Sequence, residues 1–396
     1  MKRFRVRDLI DTGYLQINDG YRAKNEELGR PGLPFARAAN IDGELTLDSD
    51  AGDCLAQKNV PLAGSKLSRS GDVVLTTKGS VGRVAFVRES YPPFVYSPQL
   101  SFWRVTNQSI VNPRYLYFWM RGKEAHDQLV ALKGQTDMAD YVSLVDQRNM
   151  TLSLPPIGEQ DAIAAVLGAL DDKIGVNRRL AAQLERVFRG AFRQWMATRD
   201  NSWRRGRLGE VAARVTQAIS PADVDPSTPY VGLEHMPRGS ITLWNQGVVS
   251  DAVSGKLAFN SGDILFGKLR AYFKKVVVVA TNGLCSSDIL VVRAASGWLS
   301  FALGHLASDE LIEYADQRSG GTRMPRATWA DIASYPVWLP PTSTAEALET
   351  TLRPVLTMIQ HFVMESRITT ELRDVLLPRL ISGAIHPSET ALRAIP

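Results

Sequence analysis

The spacing of apolar residues predicts a long amphipathic helix after the Pro155-Pro156 pair. Asn177 is the one polar member of the series, whose other members recur at alternating steps of four and three residues. They are Ile163, Leu167, Leu170, Ile174, Ala181, Leu184, Phe188, Ala191 and Trp195. This rhythm over roughly 35 residues is typical of a coiled-coil seam, and a helix of that length extends about 50 Å.

A second apolar stripe near the C-terminal end predicts another long helix. Its members are Leu348, Leu352, Val355, Ile359 and Phe362, then Ile368, Leu372 and Val375 after a polar interruption at Ser366. An isolated stripe needs an apolar partner, so the simplest arrangement packs the two helices together as an antiparallel coiled coil. The alternative is that each stripe faces only the domain that precedes it.

The chain in front of each helix indicates a strand-rich mixed domain. It alternates short β-branched and aromatic runs with Gly, Pro, Asn and Asp. The pattern predicts strands over residues 72–76, 84–87, 100–105, 264–266 and 276–280, and helices over 113–129 and 299–314.

The two halves of the chain resemble each other in four places that keep the same order. Residues 34–47 resemble 229–243, 67–75 resemble 257–265, 134–138 resemble 320–324, and 154–156 resemble 339–341. The offset between matched positions stays between 185 and 195 residues, which is far too long for a solenoid unit and indicates a duplicated domain.

The predicted fold class is therefore α+β, with two homologous mixed α/β domains and a pseudo-twofold internal repeat. The domains cover residues 1–153 and 203–338. The two long helices cover residues 154–202 and 339–396, the latter including a C-terminal tail.

Several of these segments resemble the specificity subunits of type I restriction–modification systems. Residues 154–164, together with Leu167, Leu170 and Asp171, resemble the helical region that closes each recognition domain in that family. Residues 376–383 are similar to the family's usual ending, and residues 230–235, 261–265 and 319–322 are similar to recurrent pieces of its recognition domains. The second helix departs from the pattern, since Thr344 and Ala345 replace its Glu-Gln start.

The resemblance implies a non-catalytic DNA-binding subunit with two target-recognition domains. Each domain would read one half of a bipartite, asymmetric site in double-stranded DNA, and the paired helices would set the gap between the halves. The helices would also dock two methyltransferase (M) subunits, and motor-nuclease (R) subunits would complete the restriction enzyme. The docking residues are expected to be Glu159, Gln160, Ile163, Leu167, Leu170, Leu184, Leu348 and Leu352. Two alternatives are a scaffold that only joins partner chains through its helices, and a self-sufficient enzyme.

Charge and composition agree with a polyanionic partner. The chain of 396 residues carries a formal net charge of +5. No apolar run reaches the roughly 18 residues needed to span a bilayer, and no secretory signal follows the basic N-terminus, so we expect a cytoplasmic protein that contacts no membrane. Cys54 and Cys285 are too few and too far apart for a disulfide framework or a metal knuckle.

Residues near a Gly-Asp pair in both halves, all of them basic except one serine, are the first candidates for DNA contact. They are Lys66, Arg69, Lys78, Ser80 and Arg83 in the first half, with Lys268, Arg270, Lys274 and Lys275 in the second. The repeated glycine-containing loops add Gln135, Thr136, Arg318, Thr322, Arg323 and Arg326. Lys and Arg contact phosphates, while Arg, Gln and Thr also read base edges. The alternative for each of these residues is an ordinary solvated surface.

Catalytic motifs are absent or incomplete in the sequence. The segment Tyr91-Pro92-Pro93-Phe94 lacks the leading Asn or Asp that amino-methyltransferases require, and the five histidines show no metal-ligand spacing. We interpret Asp171-Asp172-Lys173 as a surface ion cluster, and Asp72 and Asp263 as residues that hydrogen-bond within turns. No catalytic residue, metal or cofactor is expected.

Overall fold

The computed structural model describes residues 1–41, 53–133, 140–251, 256–320 and 324–387 and divides into two compact units. Unit 1 consists of Met1–Asp171 and Glu371–Pro396, and unit 2 consists of Asp172–Thr370. Both boundaries fall inside the long helices. Each unit therefore contains one strand-rich domain and the adjoining segments of both helices.

Unit 1 is built on an antiparallel four-stranded sheet. Its strands are β1 (Lys2–Arg5), β2 (Leu15–Asp19), β3 (Gly32–Ala36), β4 (Cys54–Ala56), β5 (Val73–Thr76), β6 (Val84–Phe86), β7 (Val95–Tyr96), β8 (Leu100–Val105) and β9 (Thr151–Leu154). Its helices are α1 (Val6–Asp11), α2 (Val60–Ala63), α3 (Pro113–Arg121), α4 (Lys123–Lys133), α5 (Leu144–Asn149) and the first part of α6 (Ile157–Ala197). The sheets have the orders β2-β8-β5-β6, β4-β3-β7 and β1-β9.

The local sequence accounts for the central elements of unit 1. Strand β5 is buried along its whole length, which agrees with its continuous apolar sequence. Helix α3 begins at Pro113, whose fixed φ suits a first helical position, and the Asn112 side chain accepts hydrogen bonds from the backbone of Arg114 and Tyr115. The core contains Trp103 and Trp119, both fully buried.

Unit 2 has the same plan with a larger second sheet. Its strands are β10 (Arg204–Arg207), β11 (Ala212–Val215), β12 (Ala218–Ile219), β13 (Pro229–Val231), β14 (Gly247–Val248), β15 (Lys256–Phe259), β16 (Ile264–Gly267), β17 (Val276–Val278), β18 (Gly283–Cys285), β19 (Ile289–Ala294) and β20 (Pro336–Leu339). Its helices are α7 (Leu299–Leu306), α8 (Asp309–Arg318), α9 (Trp329–Ala333) and most of α10 (Thr342–Ile381). The sheets have the orders β11-β19-β16-β17, β12-β15-β18-β13-β14 and β10-β20.

The two units repeat each other strand by strand. The order β2-β8-β5-β6 in unit 1 corresponds to β11-β19-β16-β17 in unit 2. Each unit also contains one parallel pair, β3 with β7 and β13 with β18. The predicted helices over 113–129 and 299–314 are each two helices in the structure, divided at Gly122 in unit 1 and before Ser308, which caps α8, in unit 2. The predicted pair of homologous mixed domains is confirmed.

In unit 2 the segments of α6 and α10 run antiparallel. The ring of Phe192, near the end of α6, lies against Gly304 of α7, where an added Cβ would come within 2.5 Å of it. The backbone N–H of Ser300, also on α7, donates to Glu349 near the start of α10. Farther along, Asn177 of α6 contacts Ser366 of α10. The predicted antiparallel helix pair is therefore confirmed.

The predicted continuation of the second stripe is wrong. Ile368, Leu372 and Val375 are 63%, 42% and 51% exposed. The regular spacing from Ser366 leads instead to Arg373, whose guanidinium donates to the Asp171 carboxylate at 2.8 Å in unit 1. A buried ion pair thus occupies the inward position where an apolar residue was expected.

Asp171 also does not belong to a surface cluster. Its side chain is buried and accepts from Arg121 as well as from Arg373, and its backbone carbonyl accepts from Arg88. The interpretation of Asp171-Asp172-Lys173 as a surface ion cluster is therefore wrong for Asp171, because unit 1 supplies three arginines around it.

None of the helices in the described ranges is long and apolar enough to cross a bilayer.

Candidate nucleic-acid interface

In unit 1 the β5–β6 hairpin presents candidate DNA contacts. Lys78, Ser80 and Arg83 are exposed in its loop. The loop packs on the segment that follows residues 134–139, since Gly79 N–H donates to the Asp140 carbonyl at 3.3 Å. Lys78 lies 5.0 Å from the centre of the Tyr141 ring. The hairpin loop therefore contacts residues 140 and 141, which follow the second candidate segment in the sequence.

A buried carboxylate holds the start of each hairpin. Asp72 accepts from the Arg69 backbone N–H, the Tyr96 hydroxyl and the Arg104 guanidinium. Burial and the Asp72 charge raise the pKa of the Tyr96 hydroxyl, so this group remains a hydrogen-bond donor. In unit 2, Asp263 likewise accepts from a backbone N–H, that of Asn260, and from the side chain of Arg293. The turn role predicted for both aspartates is confirmed.

In unit 2 the β16–β17 hairpin loop carries Lys268, Arg270, Lys274 and Lys275. Leu269 pairs with Arg326, the Arg270 N–H donates to the Pro325 carbonyl at 2.9 Å, and Ala327 N–H donates to Lys268 at 2.9 Å. These bonds join the hairpin loop to residues 325–327. In each unit the cationic hairpin loop thus contacts residues that follow the glycine-containing candidate segment in the sequence.

Four of the predicted cations are engaged within their own unit. The Lys66 amine pairs with Asp19 at 2.6 Å, the Lys274 amine with Asp309 at 2.6 Å, and the Arg326 guanidinium with Asp288 at 3.1 Å. Lys275 donates to the Leu233 carbonyl, and burial, followed by the nearby Arg238, lowers the pKa of its amine. These cations would have to exchange a partner in order to bind a phosphate.

Other predicted cations are better placed for an external anion. Within the described ranges, no carboxylate lies within 4.0 Å of the charged side-chain groups of Arg69, Lys78, Lys268, Arg270 or Arg318. The Arg318 guanidinium stacks 3.7 Å from the centre of the Tyr314 ring, which keeps its charge at the surface. Arg83 donates to the Ile41 carbonyl at 3.2 Å. Gln135, Thr136, Thr322 and Arg323 lie outside the described residues and remain predictions.

The sequence analysis missed an aromatic component of the unit 2 loop. Tyr272 is 47% exposed and lies against Phe273, with ring centres 4.7 Å apart. Arg238 covers Phe273, its guanidinium 3.8 Å from the ring centre. The signal was present as two aromatic residues between Arg270 and Lys274, a basic–aromatic interleaving that suits nucleic acid.

Comparison with known proteins finds similar proteins in one family. Residues 2–186 match the model of the type I restriction modification DNA specificity domain. The chain is 20% identical over 368 residues to the MjaIX specificity subunit of Methanocaldococcus jannaschii, covering 85% of this chain and 82% of that protein. It is 21% identical over 276 residues to the EcoDI specificity subunit of Escherichia coli, covering 59% of this chain and only 60% of that relative's length. Residues 2–186 therefore match a type I DNA specificity domain, and the chain is similar to type I specificity subunits.

The fold agrees with that of a solved member of the family. The S subunit of a type I restriction–modification system from M. genitalium superimposes with a TM-score of 0.58 at 12% identity, over 96% of this chain and 95% of that one. At this identity the likeness shows the fold alone.

The predicted docking residues lie mostly in the interior of the two units. Ile163 and Leu167 are buried in unit 1, and Leu348 and Leu352 in unit 2, whereas Leu170, Leu184 and Glu159 are half-buried. The buried Gln160 side chain accepts from Asn112 N–H and donates to the carbonyls of Ile110 and Pro155. Gln160 thus ties the start of α6 to its own domain, and the docking role of all eight residues remains a prediction.

Large apolar side chains elsewhere on the helices are exposed. In the unit 2 part of α6 they are Val176, Leu180 and Val187. They were not predicted because only the apolar stripe with regular four-three spacing was considered, and that is the stripe that the helices bury.

Proposed function

We propose that the chain is the non-catalytic, DNA-reading specificity subunit of a type I restriction–modification complex. Each recognition domain reads one half of a bipartite, asymmetric target in double-stranded DNA. Two M subunits dock on the long helices, and R subunits complete the restriction enzyme. The observation that carries the proposal is the duplicated hairpin, whose loop carries cationic residues in both units.

The difference between the two loops supports an asymmetric target. Both hairpins start at a carboxylate-anchored turn, but Lys78, Gly79 and Ser80 occupy the loop of unit 1, whereas unit 2 places arginine and tyrosine in its loop. Base edges are read by side chains and not by the backbone fold. Two loops on the same fold with different side chains are therefore suited to two half-sites of different sequence.

The helix pair supports the spacer role. Helix α6 has 41 residues and α10 has 40, so each extends about 60 Å at 1.5 Å per residue. The polar contact between Asn177 and Ser366 interrupts the apolar seam of unit 2, and such buried polar positions fix the register of paired helices. A fixed register gives a fixed gap between the half-sites.

The exposed apolar residues of the helices support the docking role. The exposed side chains of Val176, Leu180 and Val187 form an apolar surface that an M subunit would bury, whereas the buried seam residues hold the two helices together.

Adenine methylation in a host genome tests the proposal. The chain is co-expressed with its M subunit, and methylated adenines are mapped by sequencing. One split, asymmetric motif with a fixed non-specific gap is expected. A single short continuous motif would mean that only one domain reads DNA. Methylation by the chain without M would establish an enzyme. A DNA affinity of the assembled complex that does not fall with salt would favour the scaffold, because phosphate contacts release counterions.

A further inference from the structure

The two hairpin loops use left-handed backbone at the same two positions. In unit 1 these positions are the third residue after β5 and the second before β6, Gly79 and Gly82, with φ of +75° and +98°. In unit 2 the same positions relative to β16 and β17 are Arg270 and Lys274, with φ of +53° and +52°. The two loops, which differ by one residue in length, thus share left-handed backbone near both ends, but a cation replaces glycine at both places.

Arginine and lysine are unfavourable residues for this backbone. A Cβ crowds the following carbonyl oxygen in the left-handed region, so glycine is the usual occupant, and asparagine or aspartate is the usual exception. Among the described residues, Arg270 and Lys274 are the two non-glycine residues with positive φ. Unit 2 therefore maintains strain that unit 1 shows to be avoidable in the same fold.

The surrounding bonds impose this strain. Arg270 N–H donates to the Pro325 carbonyl at 2.9 Å, and Gly239 N–H donates to the Lys274 carbonyl at 2.9 Å. Inside the loop, Phe273 N–H donates to Arg270 and Lys274 N–H to Ala271. Strained residues that the neighbouring structure holds in place cluster at functional sites, where the side chain serves the function.

We propose that Arg270 and Lys274 are the target-contacting cations of the second recognition domain, held on strained backbone because DNA recognition needs their side chains there. This inference rests on the proposed function. Arg270, with no carboxylate within 4.0 Å in the described ranges, contacts a base edge and contributes sequence preference. Lys274 exchanges Asp309 for a phosphate and contributes affinity. Tyr272, exposed between them, covers the adjoining sugar or base surface.

The first test compares Arg270→Gly with Arg270→Ala in the complex with M subunits. Both variants lose the side chain, but only glycine removes the strain. We expect both to lower the affinity for the wild-type target about 10- to 100-fold and to relax one base of a single half-site in the methylation map. Arg270→Gly should raise Tm by roughly 1–4 °C relative to Arg270→Ala.

The second test uses Lys274→Gly. It should weaken binding to target and unrelated duplexes alike and reduce the slope of log affinity against log salt by about one, with the methylated motif unchanged. Arg204→Ala is the matched control, because Arg204 is an exposed, ion-paired cation of β10 outside the loop and outside the long helices, and it should leave affinity and motif unchanged.

The outcomes separate this inference from the proposed function. If the wild-type complex methylates no split motif, the proposed function fails and the inference fails with it. If the wild type does so and both Arg270 variants keep its affinity and motif, only the inference fails. A Tm of Arg270→Gly at or below that of Arg270→Ala would overturn the strain argument, and an unchanged salt slope in Lys274→Gly would overturn the phosphate contact.

Discussion

The side-chain amide of Asn177 donates to the Ser366 hydroxyl oxygen at 3.3 Å, so the polar interruptions of the two apolar stripes face each other. The same amide donates to Glu365 at 2.9 Å, and Lys173 pairs with that carboxylate at 3.0 Å. Although burial opposes it, hydrogen bonds from Lys173 and Asn177 keep the pKa of Glu365 below its usual value. These four residues form a polar layer, whose groups would lose their hydrogen bonds in any other register of the two helices. The layer therefore favours one register.

Replacing this layer should loosen the register of the helix pair. The Asn177 carbonyl oxygen is buried without a hydrogen-bond partner, so an Asn177→Leu, Ser366→Ala double variant should be at least as stable as the wild type. Without the polar pairing the helices are free to shift, and we expect methylated motifs with more than one gap length. A single, unchanged gap in the methylation map would show that the register is set elsewhere. Asn177→Leu alone, which leaves Ser366 unpaired, is the control.

Acid should destabilise unit 2 through His305. This side chain is buried beside Phe192 and Phe301, and burial lowers its pKa to about 4 from 6.5. The unfolded chain therefore binds a proton that the folded chain does not bind between these values. Stability is full above pH 6.5 and declines as the pH falls to about 4, by about 3 kcal/mol in total.

The difference between wild type and His305→Leu isolates this effect. Urea unfolding at a series of pH values should show that the variant lacks the decline, whereas the exposed-histidine control His126→Gln should follow the wild type. Parallel pH curves for wild type and His305→Leu would contradict the assignment.

Unit 1 should depend strongly on the buried Asp171–Arg373 pair. The hydrogen bonds that Arg373 donates to Asp171 outweigh its burial and raise the pKa of its guanidinium, so this group keeps its charge. Asp171→Asn removes the buried counter-ion and leaves Arg373 only the exposed Asp374, so it should lower the free energy of unfolding by about 3 kcal/mol. An Asp171→Leu, Arg373→Met double variant should recover most of the loss, since it removes both charges. Lys123→Ala, which breaks the exposed pair with Asp127, is the control and should change the free energy of unfolding little. Thermal unfolding of the wild type and the variants measures these differences. Equal losses in Asp171→Asn and Lys123→Ala would refute the argument.

Elements that follow from a repeated apolar spacing could be predicted from the sequence, whereas features that depend on a single tertiary contact could not. The four-three spacing around Leu167 and Leu352 predicted the helix pair because burying such a stripe leaves few alternatives. It failed at Leu372, because an ion pair with Asp171 occupies the inward position and no spacing rule favours arginine there. The strained backbone of Arg270 was equally hidden, since residue type argues against left-handed φ and only the surrounding bonds impose it.

Lengthening both long helices by one heptad tests the spacer role. Seven residues preserve the inward face of a coiled coil and add about 10 Å, the rise of about three base pairs. The seven residues are inserted after Gly168 in α6 and before Leu376 in α10, within unit 1. Insertions after Lys173 or before Ser366 would disturb the polar contacts of Asn177. We expect a longer gap between half-sites of unchanged sequence in the methylation map. An insertion into α6 alone removes the match between the two stripes and should lower Tm. If the double-insertion variant kept the wild-type Tm and its methylation map showed the wild-type gap, the helices would not set the distance between half-sites.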